Sequence, residues 1–266
     1  MDDRPIGVFD SGVGGLTVVR AMIDQLPQES IIYYGDTART PYGPRDQDEV
    51  RRFTLEIADL LVAEGVKMLV VACNSMSSVA LDDLRARYPD TPIVEVIRPA
   101  VQAAVRTTRN GRIGVIGTEL TIRSRTYDRA VAATGADVEL FSAACPKFVE
   151  FAERGQDTGA ELIVAQDYLT PLKDEGIDTL ILGCTHYPLL RGVIQFVMTL
   201  DVVLVSSPEA TTHQVFAELA SNDLQHSRSL PPFYRFLASG PRDQFERVGR
   251  KFLGPEITKV EETPWS

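Results

Sequence analysis

Two stretches place a cysteine where a thiol can react. In "VVACNSMSSVAL" (70–81) and "ILGCTHYPLL" (181–190), an apolar run ends in a cysteine followed by two polar residues. The chain holds three cysteines and three histidines, and these stretches take Cys73, Cys184 and His186. A helix N-terminus lowers a thiol's pKa and favours the reactive thiolate. A lone cysteine at a strand end reads as a small buried hydrophobe, and Cys145 in "SAACPKF" fits that description. Two cysteines at equivalent positions, both flanked by hydroxyl or amide side chains at a helix start, read differently.

Two thiols facing one cleft could serve three chemistries. A redox pair wants them in contact, usually with CxxC spacing, which is absent. A nucleophilic hydrolase needs one cysteine and its base, and leaves the second idle. Taking a proton from one face of a carbon and returning one to the other uses both symmetrically, one thiolate as base and the opposite thiol as acid. That reaction is racemisation. Its carbanion-like transition state needs donors aimed at a carboxylate in a closed, dry pocket. Pyridoxal phosphate would ordinarily act as the electron sink. The lysines (Lys67, Lys147, Lys173, Lys251 and Lys259) sit in helical or surface-like contexts away from the cysteines, so no cofactor is expected.

Strands and helices alternate around these residues. The strand candidates are 6–9, 31–34, 68–72 and 92–96, then 112–116, 138–141, 179–183 and 201–205. Over 46–64, Val50, Phe53, Ile57, Leu60, Leu61 and Glu64 keep helical spacing, acids crowd the first turn and Gly65 closes the end. Thr158 with Glu161 three residues on reads as a capping box opening a helix that closes near Gly176. Such alternation predicts an α/β fold of doubly wound, mainly parallel sheets. Gly7 to Gly114 and Ile31 to Val138 each span 107 residues, and Cys73 to Cys184 spans 111. Four strand positions in register predict a duplicated βα domain. After residue 207 come a helix (208–221), a strand (233–239) and a last helix (241–253), which periodicity assigns to neither half.

Ligands of open α/β sheets sit beyond the carboxyl ends of the strands. There the chain offers "DSGVGG" (Asp10, Ser11), "GDTARTPYG" (Asp36, Pro41, Tyr42, Gly43), then Cys73, Asn74 and Ser75, and Cys184, Thr185 and His186. The glycine loop is either a tight βα turn or a set of backbone donors for a carboxylate. It lacks the dinucleotide and P-loop spacings, and its aspartate would repel a polyphosphate. A net charge of −10 argues against a nucleic-acid surface. The basic run "RSRTYDR" (123–129) reads as a solvated helix face. No apolar run approaches the ~18 residues of a membrane span. The acidic start "MDDRPIGVFD" is unlike a signal peptide. A cytoplasmic protein without disulfides or a bound metal is expected.

Together, "PIGVFDSGVGGLTV", "YYGDTARTPYGP", "VVACNSMSSVAL", "RIGVIGTELTI", "CPKFVEFAERG" and "LILGCTHYPLL" resemble glutamate racemase, of the cofactor-independent aspartate/glutamate racemase superfamily. The resemblance runs from residue 5 to about 254. It implies two similar α/β domains related by a pseudo-twofold axis, the C-terminal segment returning to the first: 1–97 plus 208–266, and 98–207. It implies interconversion of L- and D-glutamate, the latter for peptidoglycan, by a homodimer. Cys73 would take the α-proton from D-glutamate and Cys184 from L-glutamate. Asp10 would assist Cys73 and His186 would assist Cys184, with Asp36 and Glu153 supporting them. Asp10, Ser11, Pro41, Tyr42, Gly43, Asn74, Ser75, Thr118, Thr121, Thr185 and His186 would bind substrate. Two departures stand out: Met76 where the family often has a small residue, and "VEVIRP", which makes Glu95 and Arg98 unusual. The alternatives are a racemase of another amino acid, a non-catalytic binding module and a thiol redox protein. For His186 alone the alternative is a cap on the helix that Pro188 begins.

Overall fold

The structure is a computed structural model and describes residues 1–154, 158–227 and 229–265. Its strands are β1 (Ile6–Asp10), β2 (Ile31–Gly35), β3 (Met68–Val71), β4 (Ile93–Glu95), β5 (Arg112–Gly117), β6 (Glu139–Ala144), β7 (Thr179–Gly183), β8 (Val203–Ser206), β9 (Tyr234–Ala238) and β10 (Val260–Glu262). The helices are α1 (Leu16–Gln25), α2 (Gln47–Ala63), α3 (Asn74–Arg87), α4 (Ile97–Thr107), α5 (Glu119–Arg123) and α6 (Thr126–Ala132). They continue with α7 (Lys147–Arg154), α8 (Thr158–Asp174), α9 (Arg191–Met198), α10 (Ser207–Ser221) and α11 (Arg242–Leu253).

One sheet runs β10-β9-β2-β1-β3-β4 and the other β6-β5-β7-β8, all in parallel pairs. The order β2-β1-β3-β4 therefore recurs as β6-β5-β7-β8, element for element, as the repeat spacing predicts. β1, β2, β3 and β7 are buried along their whole length. Strands covered on both faces must be apolar throughout, which is why they read as unbroken runs. β3 and β7 are interior strands of their sheets, and each delivers a cysteine just beyond its carboxyl end.

The helices follow their sequence signals closely. Asp46 accepts the Asp48 N–H at 2.8 Å to cap α2, Asp48 and Glu49 fill its first turn, and Gly65 leaves at φ +79°. α8 ends at Asp174, with Gly176 at φ +69° just beyond. The capping box expected at Thr158 lies outside the described side chains. Glu95, fully inside, accepts the N–H groups of Ile97 (2.6 Å) and Arg98 (3.0 Å) and also the Arg98 side chain (3.1 Å). The unusual pair at 95 and 98 thus holds the start of α4. Met76 is buried in the same core cluster as Phe53, Leu84 and Leu120 and does not line the site.

One expectation changes, and two points that periodicity left open are filled in. The run 123–129 is not one solvated face, because Arg125 at φ 58° separates α5 from α6 and Tyr127 is only 2% exposed. The tail is assigned: β9 pairs with β2 from Ile31↔Tyr234 to Gly35↔Ala238 and so extends the first sheet. β10, only three residues long, is too short to carry a periodic signal. Among the described residues no helix is long and apolar enough to cross a membrane.

Phe236, in β9 and 1% exposed, anchors this C-terminal extension in the main core. Phe236→Ala is expected to lower the unfolding free energy by about 3–5 kcal/mol, measured by urea titration. A loss below about 1 kcal/mol would show that β9 is only loosely docked.

Candidate active site

The carboxyl edges of the two sheets meet at a cavity of about 190 Å³. From the first sheet come Ser11 after β1, Thr40 to Pro44 after β2, and Cys73, Asn74 and Ser75 after β3. From the second come Thr118 and Glu119 after β5, Pro146, Val149 and Glu150 near α7, and Cys184, Thr185 and His186 after β7. Cys73 sits at the N-cap of α3, with its Sγ 3.6 Å from the Ser11 hydroxyl. The Cys184 Sγ lies 3.8 Å from His186 Nδ1, and His186 Nε2 stands 3.0 Å from a Glu153 carboxylate oxygen. Cys73, Cys145 and Cys184 are all free thiols.

Beneath the cavity floor lies Asp10, with no exposure to water. It accepts the Gly12 N–H at 2.9 Å and the Thr185 hydroxyl at 3.1 Å, so one carboxylate ties the β1 loop to the β7 loop. The approach is close enough to require glycine at position 14: a Cβ there would stand 2.4 Å from Thr185 Oγ1 and 2.5 Å from His186 Nδ1. Across the cavity the Leu120 N–H donates to the Gly43 carbonyl at 2.9 Å. Ser75, Thr118 and Thr121 form a triangle of hydroxyls, with separations of 2.9, 3.0 and 3.4 Å.

Comparison with known proteins places the chain among racemases. The sequence pattern of the Asp/Glu/Hydantoin racemase family matches residues 6–215. The glutamate racemase of Beutenbergia cavernae is 56% identical, the match covering 98% of this chain and 93% of that one. The chain belongs to the Asp/Glu/Hydantoin racemase family. Its enzyme class is accordingly that of an amino-acid racemase. A glutamate racemase isoform from Bacillus anthracis superposes with a TM-score of 0.95 at 40% identity, covering 99% of this chain and 98% of that one. The Francisella tularensis glutamate racemase in complex with D-glutamate gives 0.92 at 35% identity, with the same coverage.

Within this racemase frame, most residues singled out by sequence gather at one place. Ser11, Pro41, Tyr42, Gly43, Cys73, Asn74, Ser75, Thr118, Cys184, Thr185 and His186 all line the cavity. Thr121 and Glu153 stand one hydrogen bond behind it, on Ser75 and Thr118 and on His186 respectively. Asp36, expected among the catalytic groups, is placed behind the wall instead. Its carboxylate accepts the Tyr42 hydroxyl, the Ser239 hydroxyl at 2.6 Å, the Trp265 indole N–H at 2.8 Å and the Arg39 guanidinium at 2.6 Å. Those four donors occupy it, and its effect on the cavity is to hold Tyr42. Arg39 is itself clamped between the rings of Phe53 and Trp265. The glycine loop turns its Gly12 N–H onto Asp10 rather than toward the cavity. His186 makes no side-chain cap to the 3₁₀ turn at Tyr187–Leu190, so capping does not account for it. Cys145 is buried in the second core and does not line the cavity.

The two thiols sit in opposite electrostatic surroundings. Burial, and then the Asp10 carboxylate, push the Cys73 thiol up to about 12, against opposing donors at Met76 and Ser11. Burial pushes Asp10 up as well, with the charge of His186 opposing. For His186, burial alone would lower the pKa. The hydrogen bonds to Cys184 and Glu153 win and raise it to about 10. The imidazole is thus held as a cation beside Cys184 at neutral pH. Because this pKa is raised on folding, the stability it contributes is complete below about pH 6.5 and is lost as pH rises through about 10. Nitrogen-15 NMR of His186 is expected to show an imidazolium at pH 8, with Glu153→Gln moving the titration downward. A neutral ring at pH 8 in the intact protein would contradict this assignment.

Proposed function

We propose that this protein is a glutamate racemase that interconverts L- and D-glutamate through two cysteine bases. The observation that carries the reading is the pair Cys73 and Cys184: they arrive from different sheets, line one cavity, and each has its own polar neighbour, Ser11 for Cys73 and His186 for Cys184. The glutamate-racemase relatives support the substrate, as does D-glutamate in the similar Francisella structure.

In the direction from L-glutamate, the Cys184 thiolate, steadied by the His186 imidazolium, takes the α-proton. The C–H electron pair moves onto the α-carboxylate, and the Cys73 thiol gives its proton to the other face of the carbon. The Cys73 thiolate so formed is the base for the reverse reaction. The assignment of faces follows the family resemblance. A thiol held near pKa 12 keeps its proton at neutral pH, which suits Cys73 to be the acid in this direction. Donors around the cavity lower the cost of the transient carboxylate charge, and a confined site strengthens them. Asn74 offers one such donor: its buried Nδ2 has no partner among the described residues.

The same reading includes the residue ranges 1–97 plus 208–266 and 98–207 as two domains, a homodimer, and a cytoplasmic role supplying D-glutamate for peptidoglycan. The pairing of β9 with β2 supports the discontinuous first domain.

The test is to incubate the purified protein with L-glutamate and no added cofactor, following optical rotation and the α-proton signal in deuterated buffer. Decay of both is expected, with Cys73→Ala and Cys184→Ala each lowering turnover by about 10³-fold. From L-glutamate, Cys184→Ala is expected to stop α-proton loss itself. Folded protein that leaves glutamate unchanged would overturn the reading, and a panel of other amino acids would then locate the substrate.

A further inference from the structure

Tyr127 stands outside every group so far assigned to the chemistry, on the stretch whose sequence reads as a solvated face. It is buried, and its hydroxyl donates to Asn74 Oδ1 at 2.7 Å. It reaches that amide from α6, in the layer of the second sheet, while Asn74 opens α3 directly after Cys73 on the first. The phenol also lies against the loop of the other cysteine. A Cβ on Gly183 would stand 3.1 Å from the Tyr127 oxygen and 2.6 Å from the Ile116 carbonyl, so glycine at 183 leaves room for the hydroxyl.

The far side of the Asn74 amide gives this contact its meaning. Asn74 lines the cavity, is 3% exposed, and has an Nδ2 with no hydrogen-bond partner among the described residues. Leaving a buried donor unsatisfied is costly, and on a cavity wall a bound ligand is one partner that can complete it. A side-chain amide has two orientations of similar shape, and its neighbours decide between them. A phenol can donate or accept; here it donates to Oδ1, and in that orientation the N–H₂ group turns the other way. We propose that Tyr127 is a positioning residue: it fixes the Asn74 amide so that Nδ2 donates to a carboxylate of glutamate in the cavity. Burial, with the Glu95 carboxylate and Cys184 as further causes, pushes the phenol far above its ordinary range, so it remains a protonated donor wherever the enzyme works.

This inference rests on the glutamate-racemase reading and can fail separately from it. An ordinary core tyrosine would contribute packing alone, which Tyr127→Phe retains. The measurement is steady-state racemisation of L- and D-glutamate by four proteins: wild type, Tyr127→Phe, Asn74→Ala and the double variant, with melting temperatures taken alongside. Tyr127→Phe is expected to raise KM by about tenfold in both directions, with kcat changed far less, the scale of one lost hydrogen bond. In the Asn74→Ala background the same substitution is expected to have no further effect, because the group it orients is gone. An unchanged KM in Tyr127→Phe overturns the proposal. So does an equal rise in KM in both backgrounds, which would mark a structural role. If wild-type protein does not racemise glutamate, the functional reading and this inference fall together. If it does, only the Tyr127 comparison decides.

Discussion

The carboxylate of Asp10 occupies the seam between the two sheets, with no water to solvate it. Taking such a charge out of water is costly unless fixed donors replace the solvent. Here the Gly12 N–H comes from its own loop and the Thr185 hydroxyl from the loop that carries Cys184. Satisfying Asp10 therefore requires the β1 and β7 loops to lie together, and that contact is so tight that only glycine fits at position 14. The juxtaposition of Cys73 and Cys184 in one cavity depends on this seam. Its charge then acts twice more, raising the Cys73 thiol and helping to keep His186 protonated.

The fold repeats itself, yet the two thiols do not share an environment. Cys73 has an anion beneath it and a serine beside it, whereas Cys184 has a cation, His186, backed by Glu153. A reversible proton relay gains from this inequality. In the proposed reaction, neighbours of opposite charge suit the two sulfurs to unequal parts, one as base and the other as acid. Around them the supporting groups are dispersed: Asp36 acts on Tyr42 from behind the wall, and Thr121 on Ser75 and Thr118. Cavity shape and hydrogen-bond order are thus set by residues that do not line the cavity.

Much of this was legible in the chain. Apolar runs buried on both faces identify themselves, and a repeat of about 107 residues becomes the recurring strand order. The rule that ligands bind beyond strand carboxyl ends leads directly to Cys73, Asn74, Cys184 and His186. What was not legible depends on contacts between distant residues. Whether Asp36 faces the cavity or internal donors is decided in part by neighbours some 200 positions away, Ser239 and Trp265. Tyr127 was concealed by its flanking arginines, whose charge suggests solvent while the ring turns inward. β10 is too short for periodicity to register.

The central claim is that different sulfurs serve the two faces of the α-carbon, and isotope placement at early times tests it most directly. Unlabelled L-glutamate would be converted in deuterated buffer, stopped within the first few per cent of reaction, and the enantiomers separated for mass analysis. The account predicts that the D-glutamate formed carries one deuterium while the remaining L-glutamate keeps its proton, since the sulfur that removes hydrogen is not the one that delivers it. Protium retained in the D-glutamate would mean that a single group carries the proton across, and would contradict the account.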